Sequence, residues 1–131
     1  MMDYREEIYR LCDEMTTFAF DVAGQRDEPL TAFAGFGAES KRFGAAFRHI
    51  YNIMCGDKDV PELLRHETER TARNMELMDY VIFSRIRKDT PVEAQQRARL
   101  HAIHWTGYLI KRIRLATDGK TIERTDAART D

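Results

Sequence analysis

The sequence predicts an all-α fold, a small antiparallel helical bundle of four to five helices. Three observations lead there. Only 7 glycines and 3 prolines punctuate 131 residues, too few for a turn-rich β fold. Apolar residues recur at spacings of three and four over long segments, the mark of amphipathic helices. The segments are joined by connections that make sequential helices antiparallel neighbours. A length of 131 residues, with 43% hydrophobic and 33% charged residues, suits a single globular domain, placed at residues 1–117.

The first helix is expected over residues 3–23. Tyr4, Ile8, Leu11, Met15, Phe18 and Val22 form one stripe, and Gly24 is a natural stop. Residues 24–38, GQRDEPLTAFAGFGA, read as a loop with a short helical turn at 30–34, because Gly24, Pro29, Gly35 and Gly37 interrupt them. A second helix over 39–55 places Phe43, Phe47, Ile50 and Met54 inward and ends at Gly56. A third spans 59–88, with Asp59 as N-cap, Pro61 at an early position and Glu62 three residues after the cap. Its second half, MELMDYVIFSRI, is apolar nearly all round and should cross the middle of the core. Thr90, Pro91 and Glu93 open a fourth helix that runs to about Ala116 and stops at Asp118-Gly119. The polar tail over 118–131 is expected to be disordered.

Several classes drop out. No run of about 18 apolar residues exists, so no membrane span is expected. The N-terminal MMDYREEIYR lacks the apolar core of a signal peptide, which points to a cytoplasmic protein. Cys12 and Cys55 then read as reduced thiols serving as small core residues. Without a Cys-x-x-Cys pair they do not build a structural zinc site. Gly35-Phe-Gly37 lacks the spacing of a phosphate loop, and no strand precedes it. No cofactor is expected.

The net charge of −1 hides an asymmetry. Residues 1–24 carry six carboxylates against Arg5 and Arg10, for −4, while residues 84–114 carry eight cations against Asp89 and Glu93, for +6. That polarity suits a polyanion, or the acidic face of a neighbouring subunit.

The candidate site lies in the basic segment. On a helix, Arg97, His101, His104, Tyr108 and Arg112 fall on one continuous stripe. Ala98, Ala102, Trp105, Leu109 and Ala116, with Leu100, Ile103, Ile110 and Ile113, make up the buried remainder. Cations interleaved with rings suit a nucleic-acid backbone, RNA or single-stranded DNA, because the charges neutralise phosphates and the rings stack on bases. Arg85, Arg87 and Lys88 extend the patch at one end, Lys111 and Arg114 at the other, and Lys41, Arg42 and Arg48 form a second basic group. The helix macrodipole would favour several of these cations near helix C-termini without any ligand.

Two chemical alternatives share these residues. Arg99-Leu-His-Ala-Ile-His104 fits the Arg-x4-His pattern of the HEPN ribonucleases, dimeric helical bundles in which Arg and His cut RNA; Arg42 and His49 fit a six-residue spacing. A chain this rich in arginine supplies such spacings by chance about as often as they occur here, and Leu100 stands where that family has a polar residue. A metal site would need more than His101 and His104. Glu62, His66 and Glu67 are the nearest candidates, but no Glu-x-x-His occurs. No metal is expected. A third possibility is a protein-binding module, such as a phage- or host-encoded inhibitor, docking through the acidic first helix.

The segments GAESKRFGAAFRHIYNIM, MELMDYVIFSRIRK and ARLHAIHWTGYLIKRIR, within residues 36–115, together resemble the small, all-helical subunit of CRISPR effector ribonucleoproteins. Ser40-Lys41-Arg42 stands in for that family's Ser/Thr-Lys-x-Arg-like helix start, one residue tighter. Lys88 closes the central helix, and Tyr108–Arg114 resembles the final one. The acidic first helix departs from the pattern. The resemblance implies a non-catalytic subunit that stacks with copies of itself and holds a guide–target duplex or a displaced strand.

Overall fold

The structure, a computed structural model, describes residues 3–24 and 29–120. It is a four-helix bundle with no strand among the described residues. Helix α1 spans Tyr4–Gly24, α2 Pro29–Met54, α3 Glu62–Ile82 and α4 Val92–Thr117, with a 3₁₀ turn at Phe83–Arg85 closing α3. The main packings are α2 on α3, α1 on α4, α3 on α4 and α1 on α2, an up-and-down cycle. Antiparallel order is visible in the cross-contacts: Lys41 meets Asp79 while Arg48 meets Glu76, and Met78 meets Thr106 while Glu67 meets Arg112. No described helix is long and apolar enough to cross a membrane.

Of the expected core positions of α1, Ile8, Leu11 and Met15 are buried and Tyr4 and Phe18 partly buried, while the side chain of Val22 lies outside what is described; in α2, Phe43, Phe47, Ile50 and Met54 are buried. Phe18 meets Phe43 edge to face at 5.5 Å. From the other side come Ala72, Met75 and Met78 of α3, with Ala102, Leu109 and Ile113 of α4. Cys12 belongs to this core, and burial pushes its thiol pKa up to about 12. Cys55 is exposed, contrary to its expected place inside.

The loop expected over 24–38 is helical from Pro29 on, continuous with α2; residues 25–28 lie outside the described residues. Of the glycines expected to interrupt this segment, Gly37 instead serves packing, together with Gly44 farther along α2. Gly37 and Gly44 sit seven residues apart, two turns along one face, with buried Ser40 between them. A Cβ at Gly44 would stand 2.9 Å from the backbone nitrogen of Glu76 and 3.1 Å from the carbonyl of Ala72, so only glycine lets α2 lie this close to α3. A Cβ at Gly37 would collide with the Asp79 side chain. Phe36 is buried beside them, its ring 5.5 Å from that of Phe83.

Helix α3 is shorter than expected at both ends. Asp59 does not cap it; its amide donates to Asp57 Oδ1 at 3.0 Å. The helix starts when the Pro61 carbonyl accepts from Arg65 N, at 3.1 Å. Helix α4 opens the same way, with the Pro91 carbonyl accepting from Gln95 N at 3.0 Å. Thr90 does not cap α4 through its side chain: its hydroxyl accepts from Arg87 N at 2.9 Å and closes the connecting turn. That connection is longer than the one or two residues expected, because Ile86 is extended and α4 begins only at Val92. Nor does the second half of α3 cross the core on all sides. With only α2 and α4 against it, Leu77, Tyr80 and Val81 stay exposed.

The stop at Asp118-Gly119 is as expected. Gly119 has φ +74°, and Lys120 N donates to Leu115 O while Gly119 N donates to Ala116 O, a Schellman ending. Tyr9 and Arg5 of α1 both bond the Asp118 carboxylate. The tail expected to be disordered lies outside the described residues from residue 121.

Two outcomes follow. Gly44→Ala should destabilise the fold by about 1–3 kcal/mol through its clash with backbone, while Gly35→Ala, with open space around its Cβ, should stabilise by about 0.5–1 kcal/mol. Urea unfolding midpoints check both, and a Gly35→Ala protein no more stable than wild type would argue against helix at residue 35. In native protein at pH 8, a thiol reagent should label Cys55 rapidly and Cys12 only after denaturant is added; equal labelling rates would contradict the burial of Cys12.

Candidate nucleic-acid interface on α3 and α4

A surface cleft of about 420 Å³ lies between α3 and α4. Arg70, Asn74 and Val81 line it from α3; His101, His104, Trp105 and Tyr108 line it from α4. Each set follows from helical spacing, since residues at i, i+4 and i+11, or at i, i+3, i+4 and i+7, share one side. The His101 and Trp105 rings are stacked, their centroids 5.6 Å apart and their planes 19° from parallel. Farther along the cleft, the Tyr108 ring lies between two guanidiniums, Arg70 at 5.9 Å and Arg112 at 5.7 Å. No carboxylate or thiol is among the lining side chains.

Next to Tyr108, one turn farther along α4, lies a buried ion pair. Arg112 Nη2 donates to Glu67 Oε1 at 2.6 Å and Nε donates to Oε2 at 3.1 Å, a bidentate geometry. The side chains are 8% and 1% exposed. Arg112 Nη1 also donates to the Tyr108 hydroxyl at 2.9 Å. The hydrogen bonds it donates to Glu67 hold the Arg112 pKa above its already high ordinary value, against the opposing effect of burial.

Arg112 is therefore not part of the outer basic stripe. Fifteen residues beyond Arg97, a 3.6-residue repeat has drifted by about 60°, enough to turn the side chain from solvent toward α3. The second basic group is also engaged internally. Lys41 pairs with Asp79 at 3.0 Å, Arg48 with Glu76 at 3.2 Å, and Arg42 with Glu39 at 2.5 Å and Glu14 at 3.4 Å. Arg114 is exposed, but its guanidinium lies 5.1 Å over the ring of Tyr9 on α1, away from the cleft. These contacts also temper the acidic first helix, since Glu7 and Glu14 pair with Arg10.

The cations that stay in solvent lie elsewhere. Arg85, Arg87 and Lys88 are exposed at the end of the bundle where α4 begins, and Arg97 is exposed on the first turns of α4. His101, His104 and Lys111 continue the exposed edge. Tyr108 is half-buried in the cleft. Leu100, expected inside, is 52% exposed on this same edge. Trp105, expected in the core, only half enters it and presents the rest to the cleft. Sequence reasoning missed Arg70, Asn74 and Val81, although their shared α3 face was a usable signal.

The other arrangements considered fare differently. Arg99 is 3% exposed and points about 140° around the helix from His104, which is in solvent. An Arg99/His104 reaction centre would require Arg99 to leave the core. Arg42, of the six-residue spacing with His49, pairs with Glu39 and Glu14. Among the described residues no three His, Cys, Asp or Glu side chains cluster as metal ligands, and Glu67 is bonded to Arg112.

The buried pair makes a measurable claim. Arg112→Met should cost about 3–5 kcal/mol by leaving Glu67 buried without its partner, while Arg112→Met combined with Glu67→Leu should recover most of that loss. A double variant as unstable as the single one, in urea unfolding, would contradict the pairing.

No protein-family model matches the chain, and neither a curated protein nor a solved structure matches it.

Proposed function

We propose that the protein is a non-catalytic, nucleic-acid-binding helical subunit that engages a strand along α4 and the α3–α4 cleft. The carrying observation is an aromatic pair in a cleft wall on the same helix as a solvent cation, with further cations at that helix's start. His101 and Trp105 are stacked near the middle of α4, Arg97 is exposed one turn before His101, and Arg85, Arg87 and Lys88 are exposed at the end of the bundle where α4 begins. Cations free of internal carboxylates release counterions when they meet phosphates, which supplies affinity without sequence preference. Aromatic faces add stacking, which any base accepts. The chemistry at hand is adhesive: no nucleophile beside a base and no carboxylate pair lines the cleft.

The resemblance to the small subunit of CRISPR effector ribonucleoproteins supports the same assignment and adds its setting, a larger assembly in which copies stack along a guide–target duplex or a displaced strand. The fold agrees with that setting in being an all-helical bundle.

Filter binding of a short RNA across a salt series tests the proposal. Wild-type affinity should fall steeply with salt, and Arg87→Glu with Arg97→Glu should weaken binding at least about tenfold and reduce the logarithmic salt slope by about 2. Arg48→Ala, whose side chain is held by Glu76, should leave binding nearly unchanged. Affinity indifferent to salt, or to the Arg87/Arg97 change, would sink the proposal. Cleavage of RNA that is lost in His104→Ala would replace it with the ribonuclease alternative.

A further inference from the structure

We infer that the α3–α4 cleft is a nucleobase pocket, which makes the protein selective for single strands. This deepens the nucleic-acid assignment and rests on it. Backbone cations alone do not distinguish a strand from a duplex, because both present phosphates. The cleft adds a different chemistry. Its α4 wall carries two stacked rings, His101 and Trp105, near-parallel with centroids 5.6 Å apart, and Val81 lines the same cleft from α3. A flat base sliding between an aromatic wall and an aliphatic one meets its π face on one side and dispersion contacts on the other. The volume of about 420 Å³ sits near the small end of ligand clefts, roughly 300–1,000 Å³. That is the scale of a base with its sugar.

Polar groups are placed to hold such a guest. Arg70 lies at the Tyr108 end of the cleft, near where a phosphate attached to the bound nucleotide would run. On the α3 wall, Asn74 Nδ2 donates to the Arg70 carbonyl at 2.8 Å, which leaves its carboxamide oxygen to accept from a base edge. At the rim stands His104, with Arg97 farther along the same exposed edge of α4, so the backbone can cross α4 while one base turns inward. In a duplex the base faces are stacked on their neighbours and their edges are paired. Entry would then require flipping a nucleotide out of the helix, which costs several-fold to many-fold in affinity.

Trp105 is the only tryptophan of the chain, so its fluorescence reports on this cleft alone. The experiment titrates the full chain with a mixed-sequence RNA strand of about 12 nucleotides, and with the same strand annealed to its complement, following both filter retention and Trp105 emission. The strand should quench Trp105 saturably, with the quench tracking retention. The duplex should bind at least about tenfold more weakly and leave Trp105 emission unchanged. His101→Ala, at an exposed position, should keep the fold by circular dichroism and weaken strand binding about tenfold. Strand and duplex retained equally, or strand retained with Trp105 emission unmoved, overturns the base pocket while the electrostatic assignment survives. Retention of neither nucleic acid overturns both.

Discussion

Glu67 and Arg112 hold α3 and α4 in register. Two charges almost wholly removed from water are costly to bury, and their mutual attraction offsets that cost only in good geometry. Here the geometry is bidentate, at 2.6 and 3.1 Å, with the remaining guanidinium nitrogen given to the Tyr108 hydroxyl. A planar fork facing a carboxylate tolerates little sliding. The pair therefore sets how far α3 lies along α4, and through Tyr108 it sets where the cleft ends. A one-turn slip of either helix would leave two buried charges apart and would separate Arg70 from the Tyr108 ring.

The opposite side of α3 obeys a steric constraint instead. Gly37, Ser40 and Gly44 remove side-chain bulk from α2 where it crosses α3, so the backbones approach until Glu76 N is within contact of Gly44. Close approach brings the outer edges of the two helices into ion-pair range, and Lys41 with Asp79 and Arg48 with Glu76 close that seam. Exposed pairs of this kind contribute about 0–1 kcal/mol each. They also give Lys41 and Arg48 carboxylate partners within the bundle, as Glu39 and Glu14 do for Arg42.

Between the two seams, α3 and α4 line a surface cleft. Val81 lines it from α3 and is exposed, as are Leu77 and Tyr80 on the same helix, while Arg97, His104 and Lys111 are exposed along α4. Apolar side chains in solvent beside charged ones are the composition of an interaction surface.

By itself, the sequence determined the fold class, the four helices, the inward stripes of α1 and α2 and the stop at Asp118-Gly119. Each depends on neighbours within a few positions, through helical periodicity, proline starts or a left-handed glycine. The basic character of the 84–114 segment was equally legible. What only the tertiary structure decided is which charges remain available. Arg112 is claimed by a carboxylate 45 positions away and Arg48 by one 28 positions away, separations that periodicity along one helix does not reach. The same holds for the 29–38 segment. Gly35 and Gly37 look like helix breakers in isolation, but the favourable packing of Phe36 and the room Gly37 leaves for Asp79 outweigh glycine's weak local penalty of about 1 kcal/mol. Trp105 was legible as an apolar residue of α4. That half of it faces a cleft followed from the angle at which α3 meets α4, a property of two helices that neither encodes alone.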